Sequence, residues 1–72
     1  MTGDTYRRLR QVMGYDTRAF SKASGLSATY VSMMENGHKP VTELQAYKII
    51  EMVRQKAAGG DETLALLRKL LS

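Results

Sequence analysis

The sequence predicts an all-α fold of five short helices. Apolar residues recur at spacings of three and four along most of the chain, and no segment shows the two-residue alternation of a β-strand. Residues that favour helix ends separate these apolar stretches. A chain of 72 residues can bury only one hydrophobic core, so residues 1–72 are expected to form a single domain.

The first helix is predicted over residues 5–13, and Gly14 ends it. At helical spacing its apolar side chains share one face, and they are Tyr6, Leu9, Val12 and Met13. Arg7 and Arg8 fall on the other side of the helix. These two arginines are therefore expected to face solvent.

Two short helices are predicted next, over residues 17–24 and 28–36. Asp16 and Ser27 precede them, and both residue types are good N-caps because their side chains accept hydrogen bonds from the first turn. The inward side of the earlier helix is expected to carry Phe20 and Ala23. Gly25 ends that helix, at the position after the last helical residue where a left-handed conformation is common.

Two more helices complete the prediction. One spans residues 42–57, with Thr42 as its cap, and its apolar stripe comprises Ala46, Tyr47, Ile49, Ile50 and Val53. Gly59 and Gly60 interrupt the pattern. The last helix spans residues 62–71, and its leucine face comprises Leu64, Leu67, Leu70 and Leu71.

The turn between the second and third helices is the most informative feature of the sequence. Residues 25–27 are too few to let the two helices pack antiparallel, so they are expected to cross steeply, as in a helix-turn-helix motif. Ser21 is small enough for the point where the helices touch, and Gly25 suits the turn. The apolar residues that such a crossing requires are Phe20, Leu26, Val31 and Met34.

The stretch from Leu9 to Pro40 resembles the Cro/C1-type (Xre-like) helix-turn-helix regulators. The matching residues are Leu9-Arg10, Gly14, Phe20-Ser21, Gly25-Leu26-Ser27, Val31-Ser32, Met34-Glu35-Asn36-Gly37 and Pro40. The resemblance implies a five-helix, lambda-repressor-like DNA-binding domain, with the motif at helices two and three and the third helix in the major groove. Ser24 departs from the family, which usually has a core leucine there, so the second helix is expected to pack less firmly.

The resemblance implies four base-contacting residues on the third helix: Ala28, Thr29, Ser32 and Met33. The helical wheel agrees, because Thr29, Ser32 and Met33 lie away from the apolar side that carries Val31. None of the four is an Arg, Asn or Gln, so none can make a bidentate bond to a base. Thymine methyl groups, single hydroxyl bonds and DNA shape are the expected means of recognition.

A second set is expected to contact DNA phosphates, and it comprises Thr17, Arg18, Tyr30, Asn36, His38 and Lys39. Thr17 stands where the family usually has glutamine, so its contact is expected to be shorter or lost. Tyr30 serves equally well as a packing residue, and Asn36 as the C-terminal residue of its helix. A formal net charge of +4 favours a polyanionic partner.

Two further pairings are expected. The resemblance implies a structural ion pair between Arg10 and Glu35, because Glu35 falls on the core side of the third helix. The chain is also expected to form a homodimer through Met52, Leu66, Leu67 and Leu70, although the C-terminal leucines serve as well to close the monomer core.

The sequence therefore predicts a regulator that binds double-stranded DNA, a small phage-type or autoregulatory repressor acting as a dimer on a palindromic operator. No cofactor, metal site, small-molecule ligand or catalytic residue is expected, and the protein is not expected to be an enzyme. No apolar run approaches the roughly 18 residues of a membrane span, so a cytoplasmic protein of bacterial or phage origin is expected. The alternatives are an antitoxin of the same fold and an adaptor that binds protein.

Overall fold

The computed structural model describes residues 1–57 and 68–71. Four helices follow one another in it: α1 Gly3–Val12, α2 Thr17–Ser24, α3 Ala28–Glu35 and α4 Glu43–Ala57. Residues 68–71 are helical as well, and the described residues contain no β-strand. Within the same ranges no helix combines the length and the apolar character needed to cross a membrane. The predicted all-helical fold class is confirmed.

A hydroxyl or carboxylate side chain caps the N-terminus of each of the four helices. Each accepts a hydrogen bond from the backbone N–H three residues ahead, and the four caps are Thr2, Asp16, Ser27 and Thr42. Such a cap satisfies one of the N–H groups that the first turn of a helix leaves unpaired. Three of these four caps were predicted from the sequence, and Thr2 was not.

The helix bounds follow the prediction closely where the caps are local. Helix α2 has the predicted bounds, α3 ends one residue early with Asn36 as its C-cap, and α4 begins one residue after Thr42. Helix α1 begins at Gly3 and not at residue 5. Of the predicted last helix, residues 62–67 lie outside the described residues.

The core lies where α1 packs on α3 and α4, and where α2 packs on α3. Its fully buried hydrophobic residues are Tyr6, Leu9, Met13, Phe20, Val31, Met34, Ile49 and Val53. The rings of Tyr6 and Phe20 meet edge to face, with 5.7 Å between their centroids. This single core joins α1 to all three other helices, directly or through Phe20 of α2.

Two apolar residues predicted to face inward lie outside the core. Tyr47 of α4 keeps 64% of its surface exposed, and Ala23 of α2 is exposed as well. Tyr47 lies about 160° around the helix from Ile49, so it cannot share the buried face that Ile49 and Val53 form. The predicted stripe on α4 was therefore too broad.

The C-terminal turn of α4 is tied to the connection between α1 and α2. The Lys56 ammonium donates a hydrogen bond of 2.9 Å to the Met13 carbonyl oxygen, which α1 leaves unpaired at its end. The same ammonium lies 4.3 Å from the centroid of the Tyr15 ring, in the geometry of a cation–π contact. Lys56 therefore holds α4 in place against α1.

Candidate functional site

Three serine side chains hold the turn between α2 and α3. The Ser21 hydroxyl donates to the Leu26 carbonyl oxygen, and the Ser24 hydroxyl accepts from the Leu26 N–H at 3.2 Å. Gly25 sits between them with φ of 77°, a left-handed conformation that glycine adopts without strain. Together with the Ser27 cap, these bonds fix the direction in which α3 leaves the turn.

The outer face of α3 carries the four residues that the sequence assigned to base contact. Thr29 and Ser32 are exposed, and Ala28 and Met33 are half-buried. The opposite face is buried against α1 and α2 through Val31, Met34 and Glu35. The predicted division of this helix into an inner and an outer face agrees with the structure, and what the outer face binds stays a prediction.

The outer face of α3 carries mostly small side chains, some polar and some apolar. Thr29 and Ser32 supply hydroxyl groups, which both donate and accept hydrogen bonds. Ala28, Thr29 and Met33 supply methyl groups at the same face. Such a surface can contact an apolar group and a hydrogen-bonding edge side by side.

Glu35 and Arg10 form a buried ion pair between α3 and α1. Arg10 Nε donates to Glu35 Oε2 at 2.7 Å and Arg10 Nη2 donates to Glu35 Oε1 at 2.9 Å, so the pairing is bidentate. The bond to Glu35 raises the pKa of Arg10 against the opposing effect of desolvation. Arg10 Nη1 also donates to the Tyr15 carbonyl oxygen at 2.8 Å. The structure thus contains the pair that the resemblance implied, and Arg10 extends it to the start of α2.

A second arginine, Arg7, reaches the same carboxylate, and sequence reasoning missed it. Its Nε donates to Glu35 Oε1 at 3.3 Å. Its side chain is only 38% exposed, although the wheel of α1 predicted that it faces solvent. The expectation was wrong because α3 crosses α1 and brings an acceptor to the side of the helix where Arg7 lies. The sequence did contain one signal. Glu35 was predicted to lie on the core side of α3, and α1 carries two arginines three residues apart, Arg7 and Arg10, that could both reach it.

Arg7 also links this ion pair to the outer face of α3. Its Nη2 donates to Asn36 Oδ1 at 2.9 Å, and Asn36 Nδ2 in turn donates to Ser32 Oγ at 3.3 Å. A continuous chain of hydrogen bonds therefore runs from the buried Glu35 carboxylate through Arg7 and Asn36 to an exposed hydroxyl on α3.

The loop after α3 folds back on the end of that helix. The N–H groups of His38 and Lys39 both donate to the Met33 carbonyl oxygen, at 2.8 and 3.2 Å. Gly37 allows this reversal with φ of 81°. The side chains of His38 and Lys39 are exposed, and their contact with DNA phosphates stays a prediction.

The remaining residues of the predicted phosphate set are more scattered. Arg18 is exposed and Thr17 is half-buried, both in the first turn of α2. Tyr30 packs in part against the core, which favours the packing role that the sequence left open for it. Asn36 is both the C-cap of α3 and a hydrogen-bond partner of Arg7.

A surface groove of about 330 Å³ lies between α2 and α4. Ala23 and Ser24 line it on one side, and Tyr47 and Met52 line it on the other. The serine where the resembled family has leucine is half-buried at this groove, as expected for a smaller side chain at a packing position. Among the described residues no three His, Cys, Asp or Glu side chains come together, here or elsewhere.

The predicted dimer residues are only partly described. Met52 packs in part against the core and lines the groove. Leu70 is 37% exposed and shares a small cavity with Thr5 and Arg8 of α1. Leu66 and Leu67 lie outside the described residues. The position of Leu70 beside α1 fits the alternative in which the C-terminal leucines close the monomer, and both this alternative and the dimer stay predictions.

Comparisons of the chain with family models, with curated proteins and with solved structures found no significant match.

Proposed function

We propose that this protein binds double-stranded DNA and regulates transcription, with α3 lying in the major groove. The observation that carries the proposal is the outer face of α3, which presents hydroxyl and methyl groups to solvent while its inner face is anchored to the core by Glu35. The major groove of DNA admits an α-helix and displays both hydrogen-bonding edges and thymine methyls. The small side chains on α3 match that mixture and allow a close approach.

The positions of the cations support a polyanionic ligand over an apolar one. Arg18 lies at the start of α2, Lys39 lies just beyond α3, and both are exposed. Helices α2 and α3 are short and are joined by residues 25–27. We propose that they form a helix-turn-helix motif, which needs two short helices with a tight turn between them. In such proteins the cations contact phosphates and set the register, and the helix between them contacts the bases.

The active form is proposed to be a homodimer. A 72-residue domain has a small core, and one short recognition helix offers few base contacts, so a second copy strengthens both stability and binding. Two copies related by a two-fold axis place their recognition helices about 34 Å apart, one turn of DNA. The operator is then a palindrome with half-sites at that spacing.

The test is selection of bound duplexes from a random pool, followed by footprinting of the enriched sequence. A palindrome with half-sites about ten base pairs apart is the expected result. A variant with Thr29→Gly and Met33→Ala should bind the enriched site no better than random DNA. The matched control is Arg54→Ala, because Arg54 lies in the last turn of α4 and, within the described part of the chain, its guanidinium donates to Glu51.

The outcome of the selection also decides between this proposal and its rivals. Enrichment of a single half-site supports a monomeric DNA binder and overturns the dimer. No enrichment at any salt concentration overturns DNA recognition and favours the protein-binding adaptor, for which the groove between α2 and α4 offers an apolar wall at Met52 and the exposed Tyr47. An antitoxin gives the palindrome and, in addition, a stable complex with its toxin.

A further inference from the structure

The hydrogen bonds around Asn36 run in a fixed direction. A guanidinium group has only donors, so the Asn36 atom that faces Arg7 Nη2 at 2.9 Å must be the acceptor Oδ1. The amide nitrogen of Asn36 therefore points the other way, toward Ser32 Oγ at 3.3 Å. Because an amide nitrogen only donates, the Ser32 oxygen must act as the acceptor in that bond.

This direction is set inside the protein. Arg7 is held in place by Glu35, through Nε to Oε1 at 3.3 Å and through Nη2 to the carbonyl oxygen at 3.5 Å. Glu35 is itself fixed by its bidentate bonds to Arg10. Neither Asn36 nor Ser32 can reverse its polarity unless Arg7 moves away from this anchored carboxylate.

The consequence appears on the exposed side of α3. A serine hydroxyl that accepts a hydrogen bond becomes a stronger donor through its own O–H. The Asn36 amide nitrogen carries two hydrogens, and the one that does not bond to Ser32 can donate to another acceptor. Ser32 and Asn36 are both exposed and their polar atoms lie 3.3 Å apart, so together they form a pair of donors on the outer face.

Building on the proposed function, we propose that Ser32 and Asn36 jointly recognise guanine, and that Arg7 is the positioning residue that makes them donors. Guanine presents two acceptors, N7 and O6, on its major-groove edge, whereas adenine and thymine present one acceptor each and cytosine presents a donor. Two adjacent side chains thus supply the paired bonds that no single residue on α3 can make. This assigns Asn36 to a base, and not to a phosphate as the sequence predicted.

The experiment measures base preference at each position of the selected site for the full-length protein and three variants. The wild type should prefer guanine by about tenfold at one position per half-site. Arg7→Met should reduce that preference to about twofold, because the Asn36 amide is then free to turn. Arg8→Met is the matched control and should leave the preference unchanged. Arg8 is a neighbouring exposed arginine that pairs with Asp4 on the surface of α1 in the described part of the chain.

The third variant reverses the polarity. In Asn36→Asp both side-chain oxygens accept, so the Ser32 hydroxyl must donate inward, and it then presents only its lone pair to DNA. The preferred base should change from guanine toward cytosine or adenine, whose amino groups donate. The added negative charge lowers affinity for all sequences alike, so the preference and not the affinity is the measurement.

Two substitutions in the DNA separate a base contact from a phosphate contact. Replacing the preferred guanine by 7-deazaguanine removes N7, one of the two proposed acceptors, and should weaken binding of the wild type. Neutralising single phosphates as methylphosphonates should leave the guanine preference unchanged. An Arg7→Met protein that melts as a folded domain and keeps the full guanine preference overturns this inference, while the proposed function survives. Failure of the wild type to bind any duplex overturns both.

Discussion

Gly3, in the first turn of α1, packs directly against the main-chain carbonyl oxygen of Met34 in α3. A Cβ at Gly3 would lie 2.2 Å from that oxygen and 2.7 Å from the carbonyl oxygen of Glu35. Both contacts are to backbone, which cannot rotate out of the way as a side chain can. This glycine lets the two helices approach closely enough for Arg7 and Arg10 to reach Glu35.

Gly3→Ala tests this close approach, because two effects of the substitution have opposite signs. Alanine favours a helix over glycine by about 1 kcal/mol. A methyl group forced into a filled site costs about 1–3 kcal/mol, and the rigid backbone here places the cost at the upper end. We therefore expect a net loss of about 1–2 kcal/mol in the free energy of unfolding, measured by urea denaturation. A variant as stable as the parent, or more stable, contradicts the packing described.

The buried ion pair between Glu35 and Arg10 should contribute more to the free energy of unfolding than the exposed ion pair between Asp4 and Arg8. Glu35→Ala leaves the buried charge of Arg10 without its carboxylate, and we expect a loss of about 3–5 kcal/mol in the free energy of unfolding. Asp4→Ala is the control, since Asp4 and Arg8 pair on the surface with more than half of each side chain exposed, and such pairs contribute below about 1 kcal/mol. Denaturation curves of the two variants at the same pH give the comparison. Equal losses in the two variants are incompatible with a buried pair.

Stability should fall at high pH because of Tyr6. Burial, with the negative charge of Glu35 and the proximity of Tyr30 as smaller causes, raises the pKa of Tyr6 to about 12, whereas the unfolded chain has the ordinary value near 10. Between these values the unfolded state loses the proton and the folded state keeps it. The protonated Tyr6 hydroxyl therefore contributes fully to the free energy of unfolding below pH 10, and this contribution is lost as the pH rises through 12. The total loss is up to about 2–3 kcal/mol.

Tyr6→Phe isolates this contribution, because it keeps the ring beside Phe20 and removes the titrating hydroxyl. The difference in unfolding free energy between the parent and Tyr6→Phe is expected to stay constant up to about pH 10 and to move in favour of the variant above it. Every other ionisable group is present in both proteins, so its contribution cancels in this difference. A difference that stays constant up to pH 12 rules out the raised pKa.

Binding to DNA is expected to weaken steeply as salt rises. Each phosphate neutralised contributes about −0.9 to the slope of log affinity against log salt. Lys39→Ala should make that slope shallower by about this amount and lower the affinity for all sequences alike. Arg54→Ala removes the same charge from the far end of α4 and should leave the slope unchanged. A change of preferred bases in Lys39→Ala would exclude its role as a phosphate contact.

Thr29 and Met33 are expected to meet thymine methyl groups. Uracil in place of thymine removes the methyl and keeps the base pair, so it should weaken binding at one or two positions in each half-site. Met33→Ala should weaken binding to the thymine-containing site and abolish the difference between thymine and uracil at its position. Uniform tolerance of uracil across the site would falsify this contact.

The sequence correctly predicted features that depend on a few neighbouring residues, namely the bounds of α2 and the inner and outer faces of α3. The bounds of α2 follow from Asp16 at one end and Gly25 at the other, because a cap and a left-handed glycine act within one helical turn. The inner face of α3 follows from the spacing of Val31 and Met34. The same wheel also identified the outer face, since residues opposite a buried stripe are exposed.

What depends on contacts between helices was predicted poorly or not at all. Local propensity makes Gly3 a poor helix residue, yet α1 begins there. The close approach of the Met34 carbonyl oxygen leaves no room for a Cβ at that position. The wheel placed Arg7 in solvent, yet α3 supplies it with Glu35 and Asn36. The periodicity of a helix states which residues share a face but not what lies opposite them. Only the packed structure brings Arg7, Asn36 and Ser32 into one chain of bonds, because those partners are joined by the crossing of α1 and α3 and by nothing in their local sequence.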